Sequence, residues 1–432
     1  MQLKPSRFVT RQRASAAALA LLLAGIVAGC GSSSTSTSAA SSSAASSSAA
    51  SSSSGAAGKC GTIPANPDYV VSPANLLAGL PASYRATYQS FDGTVEPSAY
   101  SNWKPNGKGP YTVGIVWGSL SNPFETGAFA AMQRDLKASP LVGKVIADAA
   151  PSNDPAPQLQ QYESEIQQGA QIILAQPNSE AVFTPAIIAA GKKGVPTLLG
   201  TLASPSPYSV DIDQNTFYAT ALGVNEILKS LNYSAQALFV HGIPAVSVDA
   251  VASSAFTKAL AQCPHATLAG SVDGEFAPPT VISSILQFLT THPQPITLAG
   301  QTATMGPPVL QAFKQSGHTV PPLVDNSTQD GSMAYLADTP GYKGVAIPAG
   351  PMSFANLATR VALRMLAGQG LKVKVVIWPS PVLDQAQAKQ YVQSSWTLST
   401  PGYFDLPSST WISNSTLDSL FNHPNLTTGI NP

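Results

Sequence analysis

Charge is scarce in this chain. Of its 432 residues only 10% are Asp, Glu, Lys or Arg, and the signs balance at 22 each. No basic surplus marks a nucleic-acid footprint. Histidine is thin too. The five (His241, His265, His292, His318, His423) are scattered, three of them beside Pro, without metal-ligand spacing. No Gly-x-Ser-x-Gly, HExxH or P-loop occurs, so no enzyme signature emerges and no cofactor is expected. Beyond the N-terminus, no stretch is long and apolar enough to span a bilayer. What remains is bulk: 44% of the residues are apolar, ample for real cores.

The N-terminus reads as a targeting segment. Lys4, Arg7, Arg11 and Arg13 make a positive region that no acid interrupts, and Ala14 to Val27 follows as an apolar run. Fourteen residues suit a signal h-region and are too few for a spanning helix. Val27-Ala28-Gly29-Cys30 resembles a bacterial lipobox, with small residues before a cysteine whose thiol would take the diacylglycerol. The other reading is an ordinary secretory signal with an incidental cysteine. Residues 1–29 are thus expected to be a signal peptide and residues 30–58 a lipid-anchored tether. Gly31 to Gly58 is nearly all Ser, Ala, Thr and Gly, which cannot bury an apolar face.

Of the three cysteines, Cys60 and Cys263 remain if Cys30 is acylated. In an oxidising compartment they would form a disulfide stapling the N-terminal extension to the second half of the chain. The alternative is two free thiols.

The chain is organised around Tyr111–Phe124, YTVGIVWGSLSNPF. Tyr111–Trp117 reads as a buried parallel strand, Gly118–Pro123 as a polar loop, and Phe124 onward as a helix with Ala128, Ala131, Met132 and Leu136 on one face. Strands alternate with helices from there on. Strands are expected at 112–117, 145–149, 172–175, 197–199, 237–241, 267–271, 296–299, 322–324 and 345–347. Helices are expected at 124–138, 155–168, 179–191, 216–231, 246–261, 279–291, 307–315 and 353–367. Such alternation predicts α/β architecture with parallel sheets. Pro155, Pro279 and Pro307 suit helix starts, and Gly191 and Gly368 helix ends. Residues 59–110 and 396–432 lack this periodicity and read as extensions. The first would carry a short helix near 83–89; the second would be anchored by Trp396, Tyr403, Phe404 and Trp411.

SLSNPF and its helix, with SNDPAPQLQQYESEIQQGAQIILAQPNSEAV and AGKKGVPTLLGT, resemble the ribose-binding-protein-like periplasmic binding proteins (type I), the capture subunits of ABC importers. The resemblance spans roughly residues 111–390. It implies two Rossmann-like lobes joined by a three-segment hinge. Residues 111–213 plus 350–378 would form the N-terminal lobe, and residues 214–349 plus 379–395 the C-terminal lobe. Crossings would fall near Asp211–Asn215, Pro348–Pro351 and Trp378–Ser380.

The resemblance also implies a ligand set. Asn122 and Phe124 match the family's first-loop Asn and Phe, Phe276 its second-lobe aromatic, and Asp325 its sugar-binding aspartate. Gln301, with Thr302, replaces an Asn-Asp pair, and Glu125 replaces a second Phe. The family's arginines have no counterpart around Thr201-Leu202 or in VDAVASSAF, where Asp249 is the only charge. The hinge Gln falls within Ala349-Gly350. Glu125 would accept from hydroxyls or from a cationic group, or stand solvated in the first helical turn. Asn122 would touch the ligand or cap the helix. Phe124 and Phe276 would contact the ligand or pack in the core. Asp325 would bind the ligand or bond the hinge, and Trp117 reads as core. Gln176, Asn178 and Ser179 would cap the next helix.

The expectation is a monomeric, lipid-anchored solute-binding protein on the extracytoplasmic face of the membrane. It would capture a sugar or related polyol, dock on an ABC permease, and bind no nucleic acid. A sensory lobe of the same fold and a cell-envelope enzyme are the alternatives.

Overall fold

The computed structural model describes residues 59–424, except 121, 153, 202–203 and 244–245. The leader, Cys30, the tether and Leu202 lie outside the described residues. Among the described residues, no helix is long and apolar enough to cross a membrane.

Two short strands, β1 (Val70–Val71) and β2 (Thr94–Val95), pair within the N-terminal extension. Five strands then alternate with helices: β3 (Tyr111–Trp117), β4 (Val142–Ala149), β5 (Ile172–Ala175), β6 (Thr197–Gly200) and β7 (Ser209–Asp213). Five more follow: β8 (Ser234–His241), β9 (His265–Asp273), β10 (Leu298–Gln301), β11 (Leu323–Asn326) and β12 (Val345–Ile347). The last, β13 (Val375–Ile377), returns to the edge of the first sheet.

The two sheets are all-parallel. One runs β13-β7-β6-β5-β3-β4, the other β12-β11-β10-β8-β9. Each is an α/β lobe with the same winding. The chain moves one way from β3 to β4 and then doubles back to β5, and it repeats this at β8, β9 and β10. A crevice opens at such a switch point, outside the carboxyl ends of the strands.

Local chemistry explains the elements. The β3 interior is fully buried from Val113 to Trp117. The helix Pro123–Lys137 starts on a proline at its first position and buries Ala128, Ala131, Met132 and Leu136. Its N-cap is Asn122, whose side chain accepts from Glu125 N at 3.0 Å. Prolines open helices at Pro155 and Pro278, and Pro307 sits second in Gly306–Ser316. Gly368 ends the helix Pro351–Leu366 at φ 74°.

Gly191 does not end its helix. It lies inside Glu180–Lys192, pressed against the Tyr208 side chain, and Gly194 (φ 80°) supplies the left-handed turn beyond. A second difference is β7. Its two aspartates suggest a polar crossing, yet SVDID is a strand of the first sheet. Asp211 is tolerated there because Lys374 Nζ stands 3.7 Å from Oδ2 and Ser204 N donates at 3.3 Å. The helix Asp330–Asp338 is likewise absent from the sequence reading. Its second residue, Gly331, admits the backbone of Leu398 and Thr400, where any Cβ would overlap.

Both extensions are built into the body. Tyr84 Oη donates to Ile377 O at 2.8 Å and Tyr88 Oη to Val375 O at 2.9 Å, so the N-terminal extension covers the open edge of β13. It also reaches the second lobe. Cys60 is disulfide-bonded to Cys263, and Asn225 Nδ2 donates to Thr62 O at 2.8 Å. The C-terminal extension packs Trp396 and Phe404 beside the helix Asp330–Asp338. It then runs onto the first lobe, where Arg364 meets Asp418 and Arg360 Nη1 donates to Ile412 O at 2.7 Å.

Candidate functional site

A cleft of about 820 Å³ lies between the lobes. Its walls are loops that follow strand carboxyl ends. Gly118 and Asn122 follow β3, Gln176 and Asn178 follow β5, and Thr201 follows β6. Asp213 closes β7 and Trp378 follows β13. From the second lobe come Ile243, Val248 and Val251 after β8, Glu275 and Phe276 after β9, Thr304 after β10 and Ser327 after β11. Each extension adds one side chain, Asp92 and Tyr403.

Backbone strain concentrates here. Eight non-glycine residues among those described have positive φ, and five of them line the cleft: Thr201 (58°), Glu275 (54°), Phe276 (55°), Thr304 (58°) and Ser327 (50°). Such conformations cost of order 1–3 kcal/mol each and gather where a ligand is gripped.

The apolar wall is centred on Phe124. Its ring lies 6.0 Å from Phe354, 6.4 Å from Trp378 and 5.8 Å from Tyr403, centroid to centroid. Trp117 packs behind at 5.7 Å from Phe354 and is fully buried, so it belongs to the core. Gly200 lets this cluster close, since a Cβ would overlap Phe354 and Trp117. Phe276 faces Phe124's lobe from the other side. Its ring sits on Gly242, whose N–H donates to Asp249 Oδ1 at 2.8 Å and Thr302 Oγ1 at 3.0 Å. Asp249 is thereby occupied, and its other oxygen meets His241 Nδ1 at 2.9 Å. It is buried and does not line the cleft.

The polar wall of the first lobe is held by buried Gln158. Its Nε2 donates to Trp117 O at 3.0 Å and Gln176 O at 2.7 Å, and its Oε1 accepts from Asn178 N at 2.8 Å. Gln176 Nε2 in turn donates to Glu125 Oε1 at 3.1 Å and Thr201 Oγ1 at 3.3 Å. Glu125 Oε2 is enclosed, with the Trp117 indole beside the carboxyl. Burial raises the Glu125 carboxyl to about 7, against the pull of the Gln176 amide. Asp92 and Asp213 lie close together. Burial raises Asp213, and the charge of Asp92 adds to it. Burial also raises Asp92, to about 6, and its Oδ1 has no partner.

Tyr403 joins the two lobes. Its ring contacts Phe124, and its phenol lies against Thr304 and within the field of Glu125. Burial pushes it up to about 12.

Four of the expected ligand residues, Asn122, Phe124, Glu125 and Phe276, meet at this cleft, and Asn122 caps its helix as well. Gln301 and Asp325 do not line it. Gln301 is fully buried, and its Nε2 donates to Asp325 Oδ1 at 2.7 Å and Asn326 O at 2.6 Å. Asp325 faces Gly306 and Ser332 and is raised to about 6 by burial. The pair ties the ends of β10 and β11 together, below the cleft floor. Ser179 caps the helix Glu180–Lys192, whereas Gln176 serves the cleft rather than a helix end. Sequence reasoning missed Asp92, Asp213, Thr304 and Trp378 as wall residues, and Tyr403 as more than an anchor. Only the placement of Asp213 and Trp378 beside the crossings hinted at them.

The chain matches the model of the periplasmic binding protein domain over residues 113–370. No curated protein sequence matches it. Among solved structures, it is similar to an ABC transporter periplasmic solute-binding protein from Actinobacillus succinogenes with bound D-allose. Identity is 18%, with 65% of this chain and 100% of that one covered, at TM-score 0.57. A solute-binding protein from Bacillus halodurans with bound myo-inositol gives 14%, 66% and 98%, at TM-score 0.59. The fructose-binding periplasmic domain of a hybrid two-component system gives 17%, 64% and 92%, at TM-score 0.56. With the family model covering more than half of its length, this chain belongs to the periplasmic binding protein domain family, in its type I, ribose-binding-like form.

Proposed function

We propose that the protein is an extracytoplasmic solute-binding lipoprotein of an ABC importer that captures a sugar or sugar-like polyol. The cleft carries this reading: 820 Å³ between two lobes, with aromatic rings on one wall and amide, hydroxyl and carboxyl groups around them. Rings cover the apolar faces of a sugar, while the polar groups satisfy its hydroxyls. Ligand touches both lobes only when they are shut, so binding shifts the population toward the shut form. No bond is made or broken. The closed form then docks on a permease. The leader and Cys30 support a lipid anchor, since acyl chains bury about 0.8 kcal/mol per CH₂. The match to a two-component sensor domain favours a second reading, in which the same cleft feeds a receptor.

A thermal-shift screen over sugars and polyols tests the binding. Ligand at 100 times its Kd adds about 2.7 kcal/mol of stability. A saturable shift for at least one member supports the reading; a flat response across the panel opposes it.

A further inference from the structure

We infer that the ligand carries a cationic nitrogen, as in an amino sugar or an aminated polyol. This deepens the reading above and rests on it. The walls hold four carboxyl side chains, Asp92, Glu125, Asp213 and Glu275, and among the described residues they hold no Lys, Arg or His. An anionic ligand would find no counter-charge there. One of the four, Asp92, presents an enclosed oxygen, Oδ1, without a hydrogen-bond partner, and the Glu125 carboxyl, bonded by the Gln176 amide and lying beside the Trp117 indole, faces the same cleft. They come from separate segments of the first-lobe wall, the N-terminal extension and the helix start after β3.

Burial holds Glu125 and Asp92 toward their neutral, protonated forms, in which they can bond the hydroxyls of a neutral sugar. Their ionised forms need a donor that also carries charge. An ammonium supplies three donors and the compensating charge together. The four acids are not a metal cage, since among the described residues no three His, Cys, Asp or Glu are placed to hold an ion. The neighbouring rings fit the same ligand. Phe124, Trp378 and Tyr403 present aromatic surface beside Glu125, and cations are drawn to such faces.

Titration calorimetry on the full chain with matched probes tests this: D-glucose, D-glucosamine and N-acetyl-D-glucosamine, with D-galactose and D-galactosamine as a second pair. An amine binding at least tenfold tighter than its hydroxyl parent, with N-acetylation removing the advantage, is the expected result. Glu125→Gln and, separately, Asp92→Asn should narrow that preference while the folded transition persists. Neutral sugars binding as well as or better than their amines would overturn the inference and leave the solute-binding reading intact. Binding by no member of any sugar panel would overturn both. A preference unchanged in both variants would also overturn the inference, because the carboxyls would then not be its source.

Discussion

Phe124 meets three stretches of chain at once: the helix Pro351–Leu366, the residue after β13 and the C-terminal extension. Phe124→Ala should weaken ligand binding by tenfold or more, because it removes the apolar floor on which a sugar ring would lie. The ring is only half buried, so the loss of melting temperature should stay below that of a core Phe→Ala change, which costs about 3–5 kcal/mol. Calorimetry and a melting curve on one preparation separate the two effects. Glu165 offers a test away from the cleft. It is buried beneath Gly114 beside Asp148, and burial, with the Asp148 charge adding to it, raises it from 4.5 to about 9. Between those values the folded chain holds a proton that the unfolded chain has released. Stability must therefore fall as pH rises across that window. Glu165→Gln should flatten the decline, measured as melting temperature from pH 5 to pH 9. At this scale the sequence was readable where a residue directly follows a strand, as with Asn122 and Phe124. It misled at Gln301 and Asp325. These also end strands, but they turn to each other and to the backbone, and strand position alone does not say which way a side chain bonds.

Among the elements, those with strong apolar periodicity were legible, and the short or charged ones were not. The run IILA declares β5, whereas SVDID hides β7 behind two acids that only Lys374 and Ser204 make tolerable. Those partners are distant in sequence. The three-residue β13 is also hidden; it exists because Tyr84, Tyr88 and the backbone of Glu96 cover its outer edge. Removing that cover should be measurable. Tyr84→Phe and Tyr88→Phe each leave a carbonyl unpaired and should cost roughly 1 kcal/mol, read from denaturant midpoints. A neutral outcome for both would mean water replaces the hydroxyls freely. The C-terminal extension acts likewise on the helix Pro351–Leu366. Asp405 accepts from Met352 N at 2.9 Å and Ser353 N at 3.0 Å, capping its first turn. That role places Tyr403, two residues earlier, over the cleft, a position no local pattern announces.

At the scale of the molecule, the two lobes are held by more than their crossings. The Cys60–Cys263 disulfide closes a loop of 203 residues of sequence separation, and each extension touches both lobes. On chain entropy alone such a loop is worth up to about 5 kcal/mol. Reduction should lower the melting temperature by several degrees, and intact mass should rise by that of two hydrogen atoms, one on each sulfur. Two free thiols in native protein would contradict the bond. The two-lobed α/β design was legible from the alternation of strands and helices and from the resemblance at SLSNPF. The bridging by both extensions was not, because it depends on contacts between the chain ends and segments 52 to 293 residues away.

The measurement that bears most directly on the account is small-angle X-ray scattering of the full chain with and without a saturating ligand drawn from the sugar and amino-sugar panel. Closure of two lobes on a ligand predicts a smaller radius of gyration in the bound state, with the change lost in Phe124→Ala at the same ligand concentration. Identical scattering profiles with and without ligand, at a concentration where calorimetry shows the cleft filled, would contradict it.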